Sequence, residues 1–216
     1  MKSRILIACL FIATYLVSFA AFTQEIVFED RFEGSLKPGW VWLRENSACR
    51  RFVNNALEIL TEPFGEREAR NVLLRPLSLL LGPNEQTDCS YRIETECCFV
   101  TKPQTQYQQC GVYWIQNERV LFKLVFENVD GQMYVFPSKY PVNSQGGRLR
   151  ITVTGQYIVA EFCGQNENTF RRVYEGRIES SPSDKISLQC WNGPQKSANQ
   201  EQWARFLYFR VEKINN

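Results

Sequence analysis

Cys110-Gly111-Val112-Tyr113-Trp114-Ile115, then Gln116-Asn117-Glu118, then Arg119-Val120-Leu121-Phe122-Lys123-Leu124-Val125-Phe126-Glu127: this run decides the fold. In its second arm Val120, Phe122, Leu124 and Phe126 alternate with Arg119, Leu121, Lys123 and Val125. A period of two is the mark of a strand with two different faces. Two such arms around a short polar turn read as an antiparallel hairpin. Upstream, Tyr91 to Thr101 is a long alternating strand, with Ile93, Thr95, Cys97 and Phe99 on one face and Arg92, Glu94, Glu96 and Cys98 on the other. Downstream, Asp130-Gly131 signals a tight hairpin into Met133-Tyr134-Val135-Phe136, because both turn positions favour positive φ.

The pattern extends in both directions. Ile26 to Phe32, Trp40 to Trp42, Leu57 to Leu60 and Asn71 to Arg75 read as strands before the central pair. Arg148 to Thr154, Tyr157 to Cys163 (joined by Gly155-Gln156), Thr169 to Tyr174, Ile186 to Trp191 and Ala204 to Ile214 follow it. Ser78 to Leu81 reads as a short helical turn or a buried strand end, and Glu66 to Arg70 as a solvated loop. Asn192 to Gln202 is a polar loop long enough to sit over a binding face. Short strands joined by hairpin turns, with almost no helical spacing, imply an all-β chain folded as an antiparallel two-sheet β-sandwich.

The ends and the composition bound the rest. Lys2 and Arg4 precede an apolar run from Ile5 to Phe22, with small residues at Ser18, Ala20, Ala21 and Thr23. This is the pattern of a signal peptide over residues 1–23, leaving residues 24–216 as one domain. The expected location is secreted or extracytoplasmic, in periplasm or cell envelope. A membrane association is expected only if that segment stays uncleaved. Without Lys2 and Arg4 the basic count falls from 25 to 23, equal to the acidic count. A neutral chain lacks the basic stripe of a nucleic-acid binder, and that class is set aside. The mature chain is expected as a monomer.

Histidine is absent, which excludes Ser-His-Asp and Cys-His nucleophilic chemistry. No cofactor and no metal are expected: the seven cysteines after Cys9 show no ligand spacing of the zinc type, and Asp30, Asp88, Asp130 and Asp184 form no clustered loop. An odd number of cysteines cannot pair completely. One or two disulfides, or small buried thiols, both remain open readings.

Four stretches together resemble a known family. Phe28-Glu29-Asp30-Arg31-Phe32 with Leu36 and Trp40-Val41-Trp42 is similar to its opening pattern. Leu57-Glu58-Ile59 followed by Asn71-Val72-Leu73-Leu74-Arg75 matches a second landmark. Gly111-Val112-Tyr113-Trp114 with Val120-Leu121-Phe122-Lys123-Leu124 matches a third, and Leu149-Arg150-Ile151 with Phe206-Leu207-Tyr208-Phe209 the last. These resemble the concanavalin A-like jelly roll found as the C-terminal module of family 43 β-xylosidases, and an uncharacterised bacterial family labelled regulation-of-enolase-like. The likeness covers about residues 26 to 214. It departs at Cys163-Gly164-Gln165-Asn166, where the family often has a Ser-x-Asp-Gly-x-x-Trp turn.

The resemblance implies a non-catalytic, lectin-like domain whose partner is a carbohydrate, a polysaccharide or glycan held on a shallow sheet face. Sugars call for flat aromatic surfaces and planar polar groups. Strand parity selects Arg92, Glu94, Glu96, Tyr113, Lys123, Arg150, Glu161, Gln189, Trp191 and Tyr208 as outward-pointing candidates. Trp40 and Trp42 read as packing residues. A weak glycoside hydrolase or lyase is the enzyme alternative, using paired glutamates. Glu94 and Glu96 share a strand face about 7 Å apart, within the range for two catalytic carboxyls. The Glu-x-Asp-x-x-Glu pattern of jelly-roll endoglucanases is absent. A structural or protein-interaction sandwich of the envelope is the third reading.

Overall fold

Hairpins build the molecule, and their turns are made by the residues that tolerate left-handed backbone. Asn117 and Glu118 (φ 48° and 62°) reverse the chain between two strands, and Asp130 and Gly131 (φ 53° and 78°) reverse it again. Two successive positive φ values give the turn whose twist matches the flanking strands. In this computed structural model the described residues are 24–62, 68–81, 90–181, 183–193 and 201–214. The expected signal segment, Cys89, Glu66, Arg67 and most of the 192–202 loop lie outside them.

Among the described residues there are fifteen strands: β1 (Gln24–Asp30), β2 (Val41–Leu43), β3 (Arg50–Phe52), β4 (Leu57–Leu60), β5 (Val72–Pro76), β6 (Ser90–Phe99), β7 (Gln109–Gln116), β8 (Arg119–Val129), β9 (Gln132–Phe136), β10 (Tyr140–Val142), β11 (Gly146–Thr154), β12 (Tyr157–Gly164), β13 (Arg171–Arg177), β14 (Lys185–Trp191) and β15 (Trp203–Ile214). One helical turn, α1 (Ser78–Leu81), follows β5. They form two antiparallel sheets. Sheet A has the order β13-β12-β11-β6-β15-β4-β3, with β1 also pairing β15. Sheet B has the order β10-β9-β8-β7-β14-β5-β2. This is the expected all-β, two-sheet jelly-roll sandwich.

The consecutive long strands β6 and β7 lie in opposite sheets. Between the sheets sits one apolar core, to which β6 gives Ile93, Cys97 and Phe99, β7 gives Cys110, Val112 and Trp114, and β8 gives Leu124 and Phe126. The alternation in the sequence thus separates core from surface in these three strands. Trp40 and Trp42 pack against this core, as parity and motif suggested. Asp30 is an interior hub. Its carboxylate accepts from the backbone N–H groups of Phe32 and Lys37 and from the Trp40 indole, each at 2.9 Å. Beside it Arg75 stacks over Phe28 at 3.5 Å and donates to the Pro38 carbonyl at 2.7 Å. Burial lowers the Arg75 pKa, opposed by the Asp30 charge. These contacts explain why the opening motif holds Phe, Asp and Trp together.

Two short strands escape a sequence reading: β3 and β10, three residues each, the outermost members of their sheets. The six described cysteines past residue 24 are free thiols. Cys97 and Cys98 point to opposite faces, as neighbours in a strand must. Cys110 and Cys190 are in register across β7 and β14 and are buried. Burial first, then the neighbouring Cys97, raises the Cys98 thiol to about 11.

Candidate functional site

The ten parity-selected residues all point away from the core, but the topology sends them to opposite sides of the sandwich. Arg92, Glu94 and Glu96 (β6), Arg150 (β11), Glu161 (β12) and Tyr208 (β15) lie on the outer face of sheet A. Tyr113 (β7), Lys123 (β8), Gln189 and Trp191 (β14) lie on the outer face of sheet B. They are therefore two groups, and one ligand face cannot use both.

On sheet A the charges answer one another. Glu94 is buried, and its two carboxylate oxygens are taken: Oε2 by Arg150 Nε at 2.8 Å and Oε1 by the Tyr208 hydroxyl at 2.6 Å. Arg150 also lies over Phe170 at 3.4 Å. Arg92 donates to Glu212, which also accepts from Arg210, which donates to Glu29. Glu58 is fully buried between Arg205 (2.8 Å) and Arg51 (2.7 Å). Glu96 stands in register with Arg148, and Glu161 with Arg150. Tyr208 reaches this face because the β15 register shifts between Phe206 and Tyr208. A bulge of that kind re-aims the side chains that follow it. Burial, then the hydrogen bond to Glu94, pushes the Tyr208 phenol above its ordinary value.

On sheet B the outward groups are mostly uncharged and mostly buried. Three cross-strand rows define the patch. Lys123, Tyr113 and Ser187 are in register, then Val125, Gly111 and Gln189, then Glu127, Gln109 and Trp191. Gln109, Tyr113 and Ser187 are fully buried, and Glu127, Gln189 and Trp191 nearly so. A Cβ at Gly111 would lie 2.4 Å from the Leu124 carbonyl oxygen, so the middle of the patch admits no side chain.

The hydrogen bonds fix the orientation of the central amide. Gln109 Oε1 accepts from the Tyr113 hydroxyl at 2.7 Å and from Lys123 Nζ at 3.1 Å. An ammonium can only donate, so the atom it meets is the oxygen. The amide nitrogen then faces away, and it is buried with no partner among the described residues. Next to it in register, the Trp191 indole nitrogen is also buried without one. A third such atom, Glu62 Oε2, is at the same end, where the Glu62 carbonyl accepts from Asn192 N at 3.1 Å. A buried donor left unpaired costs about 1–3 kcal/mol, and such groups are rare enough to need an explanation. Two adjacent buried donors on the outward side of the sheet are an unmet polar demand that an oxygen-rich ligand would satisfy if it reached them.

Neighbouring contacts hold this end in place. Gln108 accepts from the backbone of Gln104 and Thr105 at 2.7 and 2.8 Å and donates to Asn192 at 2.6 Å. Ala69, Val72 and Leu74 pack against Trp191. Lys123 also lies 3.4 Å from Glu127, which leaves the patch without net charge. Gln109, Glu127 and Ser187 were not among the sequence candidates. They share the parity of Tyr113, Lys123 and Gln189 on the same strands, and that was the available signal. Among the described residues no group of three Cys, Asp or Glu side chains forms a metal site, and no helix is long and apolar enough to cross a membrane.

No protein-family model and no curated protein matches the sequence. Solved structures do match the fold. One is a xyloglucan-locus GH43B protein of Bacteroides ovatus, with a TM-score of 0.61 and 12% identity over 85% of this chain. Another is the GH43 BlXynB protein of Bacillus licheniformis, with a TM-score of 0.60 and 14% identity over 85%. This chain spans 38% of the length of each. A third is the CBM2 module of the evolved Dit of Lactobacillus casei BL23 phage J-1, with a TM-score of 0.54 and 10% identity over 90% of this chain and 98% of that one. The chain thus has the concanavalin A-like sandwich fold of the GH43 accessory modules.

Proposed function

We propose that this chain is an exported, non-catalytic glycan-binding module, and that it binds through the Gln109–Trp191 end of the outer face of sheet B. The observation that carries the reading is the pair of adjacent buried donors, Gln109 Nε2 and Trp191 Nε1, with no partner among the described residues. A sugar presents hydroxyl and ring oxygens that accept from such donors. The neutral character of the patch suits an uncharged polysaccharide better than an anionic one. Export rests on the Lys2, Arg4 and Ile5–Phe22 pattern. The similar fold of a named CBM2 module, matched over nearly its whole length, supports the reading of a binding module.

The hydrolase alternative draws no support from the Glu94–Glu96 pair. Glu94 is buried, and its oxygens are held by Arg150 and by the Tyr208 hydroxyl, which suits an internal ion pair better than a catalytic carboxyl. The test is binding of the purified chain to insoluble polysaccharides and a glycan array, repeated with Trp191→Phe. That change deletes the indole N–H and keeps a ring. Binding that falls about tenfold in the variant supports the face. Binding that Trp191→Phe leaves untouched, or no binding to any glycan, refutes it and leaves the protein-interaction reading.

A further inference from the structure

A second polar concavity lies at the rim, where the edge strand β10 of sheet B passes the turn between β12 and β13 of sheet A. It has a volume of about 630 Å³, within the usual range for a small-ligand site. Its apolar wall is Tyr140, which is 40% exposed and rests on the buried Phe162 at 5.2 Å between ring centroids. Its polar wall is a set of amides: Asn143, Gln145, Gln165 and Asn166. None of these four side chains hydrogen-bonds another described residue. The charged pair present, Glu167 with Arg171 at 2.5 Å, balances its own charge, and Glu167 also accepts from Gly164 N at 3.3 Å.

The turn that carries Gln165 and Asn166 is pinned. Gln165 N donates to the Gly146 carbonyl at 3.1 Å, Glu167 N to the Gly164 carbonyl at 3.0 Å, and Arg148 to the Glu167 carbonyl at 3.2 Å. Gly164 forms part of the floor. A Cβ there would meet the Glu167 carboxyl carbon at 3.2 Å and Ser144 Oγ at 3.4 Å. So the backbone is held while the side-chain amides stay open, and a ligand would have to order only their rotamers.

We infer that this rim cleft is a second saccharide site, taking a neutral sugar unit against Tyr140 with the amides on its hydroxyls. The class of ligand rests on the proposed glycan-binding function. The cleft's geometry is independent of the sheet face. A tilted aromatic supplies the apolar contact that a pyranose face needs, and planar amides supply both donors and acceptors. The net neutrality of the lining argues against a charged ligand. The two sites also lie on one line. Trp191, Gln109, Glu127, Tyr134 and Pro141 form a continuous cross-strand row, and Pro141 lines the cleft. At about 4.8 Å per strand the row is about 19 Å long, so an extended chain could occupy both ends.

The experiment is an NMR titration of the full ¹⁵N-labelled chain with neutral β-linked tetrasaccharides of xylose, glucose and mannose at millimolar concentration. The side-chain NH₂ signals of Asn143, Gln145, Gln165 and Asn166 report the rim, and the Trp191 indole N–H reports the face. The expected result is a joint, saturable shift of the four amides. It should weaken about tenfold in Tyr140→Ala and about threefold in Asn166→Gly. The second variant keeps the left-handed backbone at Asn166 (φ 67°), so it tests the amide without disturbing the turn. Shifts at Trp191 with stationary rim amides would overturn the cleft and spare the face. Rim shifts with a stationary Trp191 would uphold the cleft and overturn the face. Stationary signals at both would overturn both.

Discussion

The two outer faces of this sandwich are made by the same alternation and end in opposite states. On sheet A the outward residues are long and charged, and register sets arginine beside glutamate: Arg150 with Glu94, Arg92 with Glu212, Arg205 and Arg51 with Glu58. Apart from the Arg92 Nε atom, these groups satisfy one another. On sheet B the outward residues are amides, a phenol, a hydroxyl and an indole, largely buried, with the ion pair of Lys123 and Glu127. Short neutral groups on neighbouring strands cannot all reach one another. Gln109 and Trp191 are therefore left with unused donors. Abundant charge on a strand face is thus a poor sign of a binding site, because it tends to be self-neutralising. A buried neutral group with an unused donor is the better sign.

The largest test of this contrast is on sheet A. Removing both arginines from Glu58, by Arg51→Ala with Arg205→Ala, strands a buried carboxylate. Loss of a buried ion's partners costs about 3–5 kcal/mol. Urea denaturation should show that loss, while glycan affinity measured on the folded protein stays at the wild-type value. A fall in affinity matching the loss of stability would dissolve the distinction between the faces. The next test is Trp191→Phe, which should do the reverse. It weakens binding about tenfold, or about 1.4 kcal/mol, yet changes stability by no more than about 1 kcal/mol, because removal of an unpaired donor offsets the lost packing. A large stability loss with unchanged binding would show that the indole is structural.

Strand identity was legible because a period of two runs through most of each long strand. Leu124 and Phe126 face the core and Lys123 faces out, as parity required. Sheet membership was not legible, since nothing local to Tyr91–Phe99 or Gln109–Gln116 says that these neighbours in sequence part company in space. That is why Glu94 and Tyr113 entered one candidate set and emerged on opposite sides. The bulge after Phe206 was also hidden. Parity counted back from Phe209 and Val211 turns Tyr208 outward, as observed, but counted forward from Ala204 and Phe206 it turns the same residue inward, and only the bulge reconciles the two. Gln165 and Asn166 of the rim showed only as a departure from the family pattern, and its β10 side went unread because β10 is three residues long and shows no period at all.

Tyr208→Phe probes a single link in the sheet A network. It deletes the 2.6 Å bond to Glu94 while Arg150 stays in place, so the cost should be about 1 kcal/mol, with glycan binding unchanged. The same residue gives the alkaline response a sign. Its phenol is held above the ordinary value of 10.0 by burial and by Glu94. The neutral phenol's contribution is thus complete below about pH 10 and fades as pH rises beyond it. Wild type should lose more stability than the Phe variant on titration into that range. Equal alkaline losses would remove the phenol from the network.

The smallest effect is at the network's edge. Glu29 accepts from Arg31 and Arg210, each at 3.1 Å. Burial alone would raise its pKa, but the hydrogen bond from Arg31 and the charges of Arg210 and Arg31 outweigh it and hold the carboxyl below its ordinary 4.5. A depressed carboxylate stabilises the fold above its unfolded pKa and loses that contribution as pH falls through the folded one. The melting temperature of wild type should therefore exceed that of Glu29→Gln at neutral pH, and the gap should close as pH falls below about 4.5. The pair is exposed enough for solvent to screen it, so the gap should also shrink in high salt. A gap that persists unchanged at low pH would mean that Glu29 contributes by packing, and that the network on sheet A ends at Glu212.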